Sequence, residues 1–317
     1  MLHRLMSTFR INQNTSLEFV HLQVTDLKRA LDFYATGLGL KYAMEKDDTV
    51  ALKSQANAHR IILTENPRVK SRPGSTVGLY HVAFLFASRS DLASVYRNML
   101  NMGYQFDGFA DHGVSESLYL ADPDGIGIEL YAEKPREQWP YQDGQLQMGT
   151  WDLDIQSLME LATLRKQDAD IKIGHIHLNV SNLEKTEYFY TSVLGLHVIQ
   201  RSISKALFFA ANNYHHHIGA NIWQGAGIPP APENSIGIKK FALQVSQSEA
   251  LHELKTHLTE LHYPFLTDGQ DVIIRDPDGI EIKIICVAQN TVKEKKQNPK
   301  KFLSFERKNN ILIQVPK

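Results

Sequence analysis

The chain has 317 residues, 43% hydrophobic and 22% charged, with a net charge of -1. These figures describe a soluble globular protein of about two domains, with ample chain for real cores and no general attraction to nucleic acid or anionic membrane. Its single cysteine, Cys286, excludes an intramolecular disulfide framework and any cysteine-cluster metal site.

The opening stretch MLHRLMSTFRINQN lacks an apolar segment of signal-peptide length, and no later run approaches a membrane span. A cytoplasmic location is expected. Residues 1–16 read as an N-terminal extension. FVHLQV then alternates as a strand over 19–24, and Asp26 stands where a helix N-cap belongs. Leu27, Ala30, Leu31 and Tyr34 follow at helical spacing, and Gly37 and Gly39 end the helix. Strand-like runs around 49–53 and 59–64 complete a βαβββ unit. A second unit starts at Gly78, with a helix near 90–102 and strands near 104–109, 116–121 and 126–131.

The run from His112 to Glu129, HGVSESLYLADPDGIGIE, is the richest in reactive groups. Asp122-Pro-Asp-Gly125 is a turn, with proline pre-setting the bend and glycine closing it. In the following strand Glu129 points away from Ile128 and Leu130 and shares a face with Gly127, which predicts room there for a ligand. Residues 136–172 form a connector with one helix over 152–166.

The second half repeats the first. Phe19–Leu40 lies over His175–Leu196 at an offset of 156, placing His21 over His177. DPDGIGIELY from Asp122 lies over DPDGIEIKII from Asp276 at an offset of 154. So long a period indicates duplicated domains, not a solenoid. The βαβββ order occurs near 17–65, 78–132, 173–223 and 237–287. The expected fold is α+β: four modules paired into two domains with cupped mixed sheets. The N-terminal domain covers 17–135 and the C-terminal domain 173–290. Residues 291–317 form a polar tail, in which Lys293 to Lys308 carries seven basic against two acidic residues. Without an aromatic stacking platform this reads as a solvated tail, not a nucleic-acid arm.

Were modules one and two to pair through their first strands, His21, His81 and Glu129 would converge on one cation. Two imidazoles and a carboxylate, with no thiolate, suit Fe(II), or else Mn(II) or a similar divalent ion. The equivalent positions of the second half carry Lys240 and Lys283, which would repel a cation, and Ile273 replaces Tyr119. There only His177 survives. Tyr214-His215-His216-His217 is the alternative cluster; strand alternation would send His215 and His217 to one face and His216 to the other, and structural polar packing is its preferred reading.

The module pattern resembles the vicinal-oxygen-chelate superfamily, which includes glyoxalase I, bleomycin-resistance proteins and extradiol ring-cleavage dioxygenases. His112 through Glu129 resembles the extradiol signature, departing from it at Ala110, and GHIHLNV with YHHHIGANIW looks closest to the Bacillus-type catechol 2,3-dioxygenases. The resemblance implies an extradiol dioxygenase acting on a small aromatic diol with O2, opening the ring to a muconic semialdehyde. It implies His21, His81 and Glu129 as metal ligands, and His112 and Tyr119 as acid/base groups beside the bound substrate. It allows a homo-oligomer, and neither nucleic acid nor membrane is expected as a partner. Two rivals stay open. A glyoxalase-type isomerase or lyase takes a fourth ligand from the last strand of module one, where HRIILTEN offers only His59 as a substitute. A metal-free binding or resistance protein would make the His/His/Glu set coincidental.

Overall fold

The computed structural model describes residues 9–54, 60–163, 170–201 and 203–286, together with the backbone of 305–308 and 311–314. His59 and most of the polar tail lie outside the described residues.

Four βαβββ modules follow one another. Module one is β1 (Ser16–Val24), α1 (Leu27–Leu31, continuing as a π-helical turn over Asp32–Gly37), β2 (Lys41–Lys46), β3 (Thr49–Lys53) and β4 (Arg60–Glu65). Module two is β5 (Gly78–Phe86), α2 (Arg89–Asn101), β6 (Gly108–Asp111), β7 (Ser115–Ala121) and β8 (Gly127–Glu133). The connector holds a short hairpin, β9 (Tyr141–Gln142) and β10 (Gln145–Leu146), and a helix α3 (Ile155–Glu160). Module three is β11 (Ile171–Asn179), α4 (Leu183–Tyr188, then a π-helical turn over Phe189–Val193), β12 (His197–Gln200), β13 (Ala206–Ala210) and β14 (Ile218–Asn221). Module four is β15 (Gly237–Val245), α5 (Ser248–Glu260), β16 (Leu266–Asp268), β17 (Asp271–Arg275) and β18 (Glu281–Cys286), and the tail carries a hairpin, β19 (Phe305–Lys308) with β20 (Ile311–Gln314). Among the described residues no helix is long and apolar enough to cross a membrane.

The modules build two eight-stranded mixed sheets, but not from the expected partners. One sheet runs β16-β17-β18-β15-β1-β4-β3-β2 and joins module four to module one. The other runs β12-β13-β14-β11-β5-β8-β7-β6 and joins module three to module two. Modules one and two therefore do not share a cup, and the divisions 17–135 and 173–290 do not coincide with the two sheets. Links 66–77 and 222–236 make the crossings side by side: Lys70 N–H donates to Asn234 O at 3.0 Å and Ile236 N–H to Lys70 O at 2.9 Å. A dozen extended residues reach roughly 40 Å, the scale of a crossing between sheets.

A DPDG turn also ties the two modules of each half to one another. Asp122 Oδ1 accepts the N–H of Asp124 (2.8 Å) and of Ile126 (2.9 Å), closing the turn. Its other oxygen accepts Tyr34 Oη–H from module one at 2.9 Å, while Asp124 Oδ2 accepts Thr25 N–H at 2.7 Å. The second half repeats this, with Tyr190 donating to Asp276 at 3.3 Å and Ser181 N–H to Asp278 at 3.0 Å. Between the sheets a continuous core forms from the helix-facing strand residues, among them Val20, Leu22, Val82, Phe84, Ile128, Leu130, Ile176 and Leu178. Because side chains alternate along a strand, the residues between these face the two cups.

Candidate metal centre

In the sheet of modules two and three, the central strands β5 and β11 run antiparallel, with His177 opposite His81 and His175 opposite Ala83. Ala83 lies opposite Glu129 on β8, and Glu129 opposite Tyr119 on β7. One row across the cup thus reads His175, Ala83, Glu129, Tyr119. The small side chain of Ala83 leaves a space over which its neighbours meet. His175 Nε2 and His81 Nε2 each lie 3.0 Å from the same oxygen, Glu129 Oε2. Ligand atoms of His81, Glu129 and His175 fall within 4.8 Å of one another, and all three side chains are buried.

Two local features build this row. β8 can press against β5 because residue 127 is glycine: a Cβ there would stand 2.1 Å from Tyr80 O. The free space expected beside Glu129 is therefore filled by the neighbouring backbone, and the glycine serves close strand packing. Gly174 instead leaves room for a side chain, since a Cβ would come within 1.7 Å of Tyr131 Oη.

The electrostatics fit a cation. Complete burial alone would raise the Glu129 carboxyl, yet His175 and His81 outweigh it and hold its pKa well below the usual range. The other Glu129 oxygen accepts Ser117 Oγ–H at 2.7 Å. Burial pulls His175 down to about 4, so at neutral pH it is an uncharged imidazole, whose Nε2 would give up its proton to become a ligand. His81 Nε2 has no hydrogen-bond partner of good geometry. A carboxylate with two converging imidazoles is a donor set for a divalent ion.

Beside this row a cavity of about 260 Å³ is lined by Tyr80, Phe208, Trp223, Met148 and other residues of both modules. His112 and Tyr119 stand on its wall. His112 Nδ1 is 2.6 Å from Gly149 O, and its Nε2 is 2.7 Å from Tyr119 Oη. A carbonyl only accepts, so Nδ1 carries the proton in neutral His112 and Tyr119 O–H donates to Nε2. Burial, then the charge of Glu129, push the Tyr119 phenol well above its ordinary value. Tyr80 and Trp223, 41% and 43% exposed, sit edge-to-face at 5.4 Å beside the cavity.

Of the five residues singled out in the sequence, His81, Glu129, His112 and Tyr119 come together here, and His21 does not. His21 lies in the other sheet, opposite Lys240, with Nε2 2.8 Å from Thr64 Oγ1. Burial, then Lys240 and Lys239, drive its pKa down to about 4. The physical reason is the module pairing: β1 joins β15, so His21 faces the lysine-bearing cup, where Lys283 is tied to Asp268 (2.9 Å) and Asp271 (3.0 Å). His175 takes the third place. Its signal was visible, since His175 and His177 share a strand face, but the repeat aligned His177 with His21 and left His175 over Phe19.

Alternation also misplaces the histidine cluster. Residues 215–217 precede β14 and are not in the strand. His216 is the member that lines the cavity, while His217 Nδ1 accepts Ala211 N–H at 3.4 Å. The connector contributes Met148, Gly149 and Thr150 to the wall, which no motif announced.

Comparison with known proteins agrees with this architecture. Residues 16–130 and 172–284 match the profile of the Glyoxalase/Bleomycin resistance protein/Dioxygenase superfamily. The chain is 35% identical over 273 residues to a catechol-2,3-dioxygenase of Bacillus subtilis (strain 168), covering 84% of this chain and 95% of that protein. It is 32% identical over 129 residues to biphenyl-2,3-diol 1,2-dioxygenase 3 of Rhodococcus globerulus, covering 39% of this chain and 68% of that one. Among solved structures, a candidate dioxygenase from Bacillus subtilis superposes with a TM-score of 0.64 at 12% identity, over 88% of this chain and 86% of that one. Glyoxalase I from Zea mays superposes at 0.54 with 16% identity, over 86% and 92%. These two likenesses speak for the fold.

Proposed function

Because this chain belongs to the Glyoxalase/Bleomycin resistance protein/Dioxygenase superfamily, we propose that it is an extradiol dioxygenase that opens a catechol-like ring with O2 at a His81–Glu129–His175 metal centre. The observation that carries this reading is the convergence of two imidazole nitrogens on one oxygen of Glu129, 3.0 Å from each. Relatives named catechol-2,3-dioxygenase and biphenyl-2,3-diol 1,2-dioxygenase support the reaction class.

His81, His175 and Glu129 would hold Fe(II), or Mn(II). When bound, such an ion offers open positions to the two diol oxygens and to O2 and makes the diol more acidic. The chain's own residues do the rest. Phe208, Met148 and Ile203 wall the cavity with apolar surface, which suits an aromatic ring and excludes water. Tyr119 and His112 form a hydrogen-bonded pair on that wall, able to give a proton to developing oxyanions and to take one from the diol. His216 lines the same cavity, and its Nε2 has no partner.

The glyoxalase-type rival needs a fourth protein ligand. The last strand of module one, β4, lies in the other sheet. In this cup the strand beside β11 is β14, where Gly219 stands opposite His177 and has no ligand to give. That favours open coordination positions. Anaerobic reconstitution with Fe(II), followed by O2 and catechol, tests the proposal. The expected result is stoichiometric oxygen uptake with a yellow ring-opened product; iron-loaded protein that consumes no oxygen with catechol or substituted catechols would sink it.

A further inference from the structure

Beyond the metal centre the same cup ends in a row of polar side chains that the proposed reaction does not use. On the face of β11 that carries His175 and His177, the next residue is Asn179, which stands opposite Gly78 on β5 and opposite Asn221 on β14. Gly78 has no side chain, and Arg72, from the link that enters β5, fills the space: a Cβ on Gly78 would stand 2.5 Å from Arg72 Nη1. A guanidinium and two amides therefore lie side by side across three strands, neighbours about 5 Å apart. Asn179 and Asn221 are buried and Arg72 is half-buried.

These groups are short of partners. Among the described residues, neither Oδ1 nor Nδ2 of Asn179 has a hydrogen-bond partner, nor has Nδ2 of Asn221. The Arg72 guanidinium makes no hydrogen bond or ion pair among the described residues, and burial lowers its pKa with no anion beside it to oppose the shift. Buried amides are seldom left this way. The other cup shows that the fold does not require it. Gln23, which the repeat places over Asn179, faces Gly237 as Asn179 faces Gly78, yet its Nε2 donates to Ser235 O at 3.1 Å and its Oε1 accepts from Lys239 Nζ at 3.3 Å. Thr64, beside Gln23 on β4, is bonded to His21 at 2.8 Å and to Thr49 at 2.9 Å.

The row adjoins the cavity. At Tyr80 the pairing of β5 slips by one residue, from His81 opposite His177 to Leu79 opposite Leu178, and the extra residue turns its ring into the cup beside His81. Trp223, whose backbone N–H is held by Asn221 Oδ1 at 3.0 Å, places its ring 5.2 Å from that of His177. Tyr80, Trp223 and His177 all line the cavity, and Asn179 lies about 7 Å along β11 from His177. A planar anion suits the set, because a guanidinium offers paired N–H donors and each asparagine an amide N–H, while Asn179 Oδ1 can accept from the guanidinium. We propose that Arg72, Asn179 and Asn221 bind a carboxylate carried on a two-carbon arm of the diol, so that the preferred substrate is an acidic catechol. The diol half of this ligand rests on the ring-cleavage reading above; the carboxylate half rests on the polar row.

Titration calorimetry on the full Zn(II)-loaded chain, where binding is read without turnover, compares 3-(3,4-dihydroxyphenyl)propionate with its methyl ester. The acid should bind about tenfold more tightly than the ester, the scale of one hydrogen bond to a charged group. Arg72→Met should bring that ratio close to one, and Asn179→Leu should lower it. Equal affinity for acid and ester in the unmodified chain, or none for either, overturns the proposal, as does a preference that survives in folded Arg72→Met protein. Propionate that binds by itself as tightly as the acid also overturns it and gives the row to a separate small acid. Oxygen uptake by the Fe(II)-loaded chain reads ring cleavage separately. A chain that prefers the acid but cleaves no diol keeps the polar row and loses the dioxygenase reading, whereas one that cleaves catechol and shows no preference for the acid loses the polar row alone.

Discussion

His175 and Glu129 meet at 3.0 Å across the boundary between the two repeated halves, one on the first strand of module three and the other on the last strand of module two. A centre built this way needs both halves, and neither repeat could assemble it alone.

That relationship separates two histidines by their effect. His175→Ala should abolish binding of Fe(II), measured as iron per chain after anaerobic loading, and with it oxygen uptake. His21→Ala, in the opposite sheet against Lys240, should leave both within about twofold, the scale of a surface change of ±0.5 kcal/mol. Iron retained in His175→Ala but lost in His21→Ala would return the centre to the N-terminal half.

Tyr119 is hydrogen-bonded to His112 and supplies no ligand atom of the His81–Glu129–His175 set, so it should matter for turnover and not for metal. Tyr119→Phe is expected to keep full iron content and to lower kcat by about 10²-fold, the low end for a general acid or base. Steady-state kinetics with iron analysis checks this, and an unaltered kcat removes Tyr119 from the chemistry.

The strand approach at Gly127 makes a stability prediction with a functional consequence. A Cβ 2.1 Å from Tyr80 O cannot be accommodated without moving backbone. Gly127→Ala should cost roughly 1–3 kcal/mol in urea unfolding, as overpacked sites do. It should also weaken metal binding, because Glu129 lies two residues along the displaced strand. Wild-type stability in this variant would show that β8 does not need that contact.

The buried DPDG turns predict a pH dependence. Burial, offset in part by hydrogen bonds, raises Asp122 to about 6 and Asp276 to about 7. A carboxyl whose pKa is higher folded than unfolded binds its proton more tightly in the native state. Its contribution is therefore complete below about pH 4 and fades as pH rises through 6 to 7, at about 1.4 kcal/mol per unit of difference. Asp276→Asn removes one such carboxyl. Urea melts at pH 5 and pH 8 should show a smaller loss of stability with rising pH in the variant than in the parent; an identical loss in both would rule out Asp276 as a source.

Much of the fold was legible because its signals are local. The N-cap at Asp26, the Gly37 stop, the turn at Asp122–Gly125 and the alternation that sets Glu129 opposite Ile128 and Leu130 depend only on neighbours within a few residues. The site was legible in the same measure: His81, Glu129, His112 and Tyr119 belong to one module, and their relative placement follows from strand period and turn geometry. The cluster before β14 was not legible, because its residues lie in a loop where strand alternation sets no face.

The sequence by itself determined four modules, the face taken by side chains within their strands, and the chemical character of the donor set. Tertiary structure decided which first strands became neighbours. Strand period is a property of one segment, whereas pairing is a choice among several segments of similar hydrophobic pattern, settled by how crossing links and helices pack. That choice placed β11 beside β5 and β15 beside β1. It brought His175 to Glu129 and sent His21 to the lysines of the other cup.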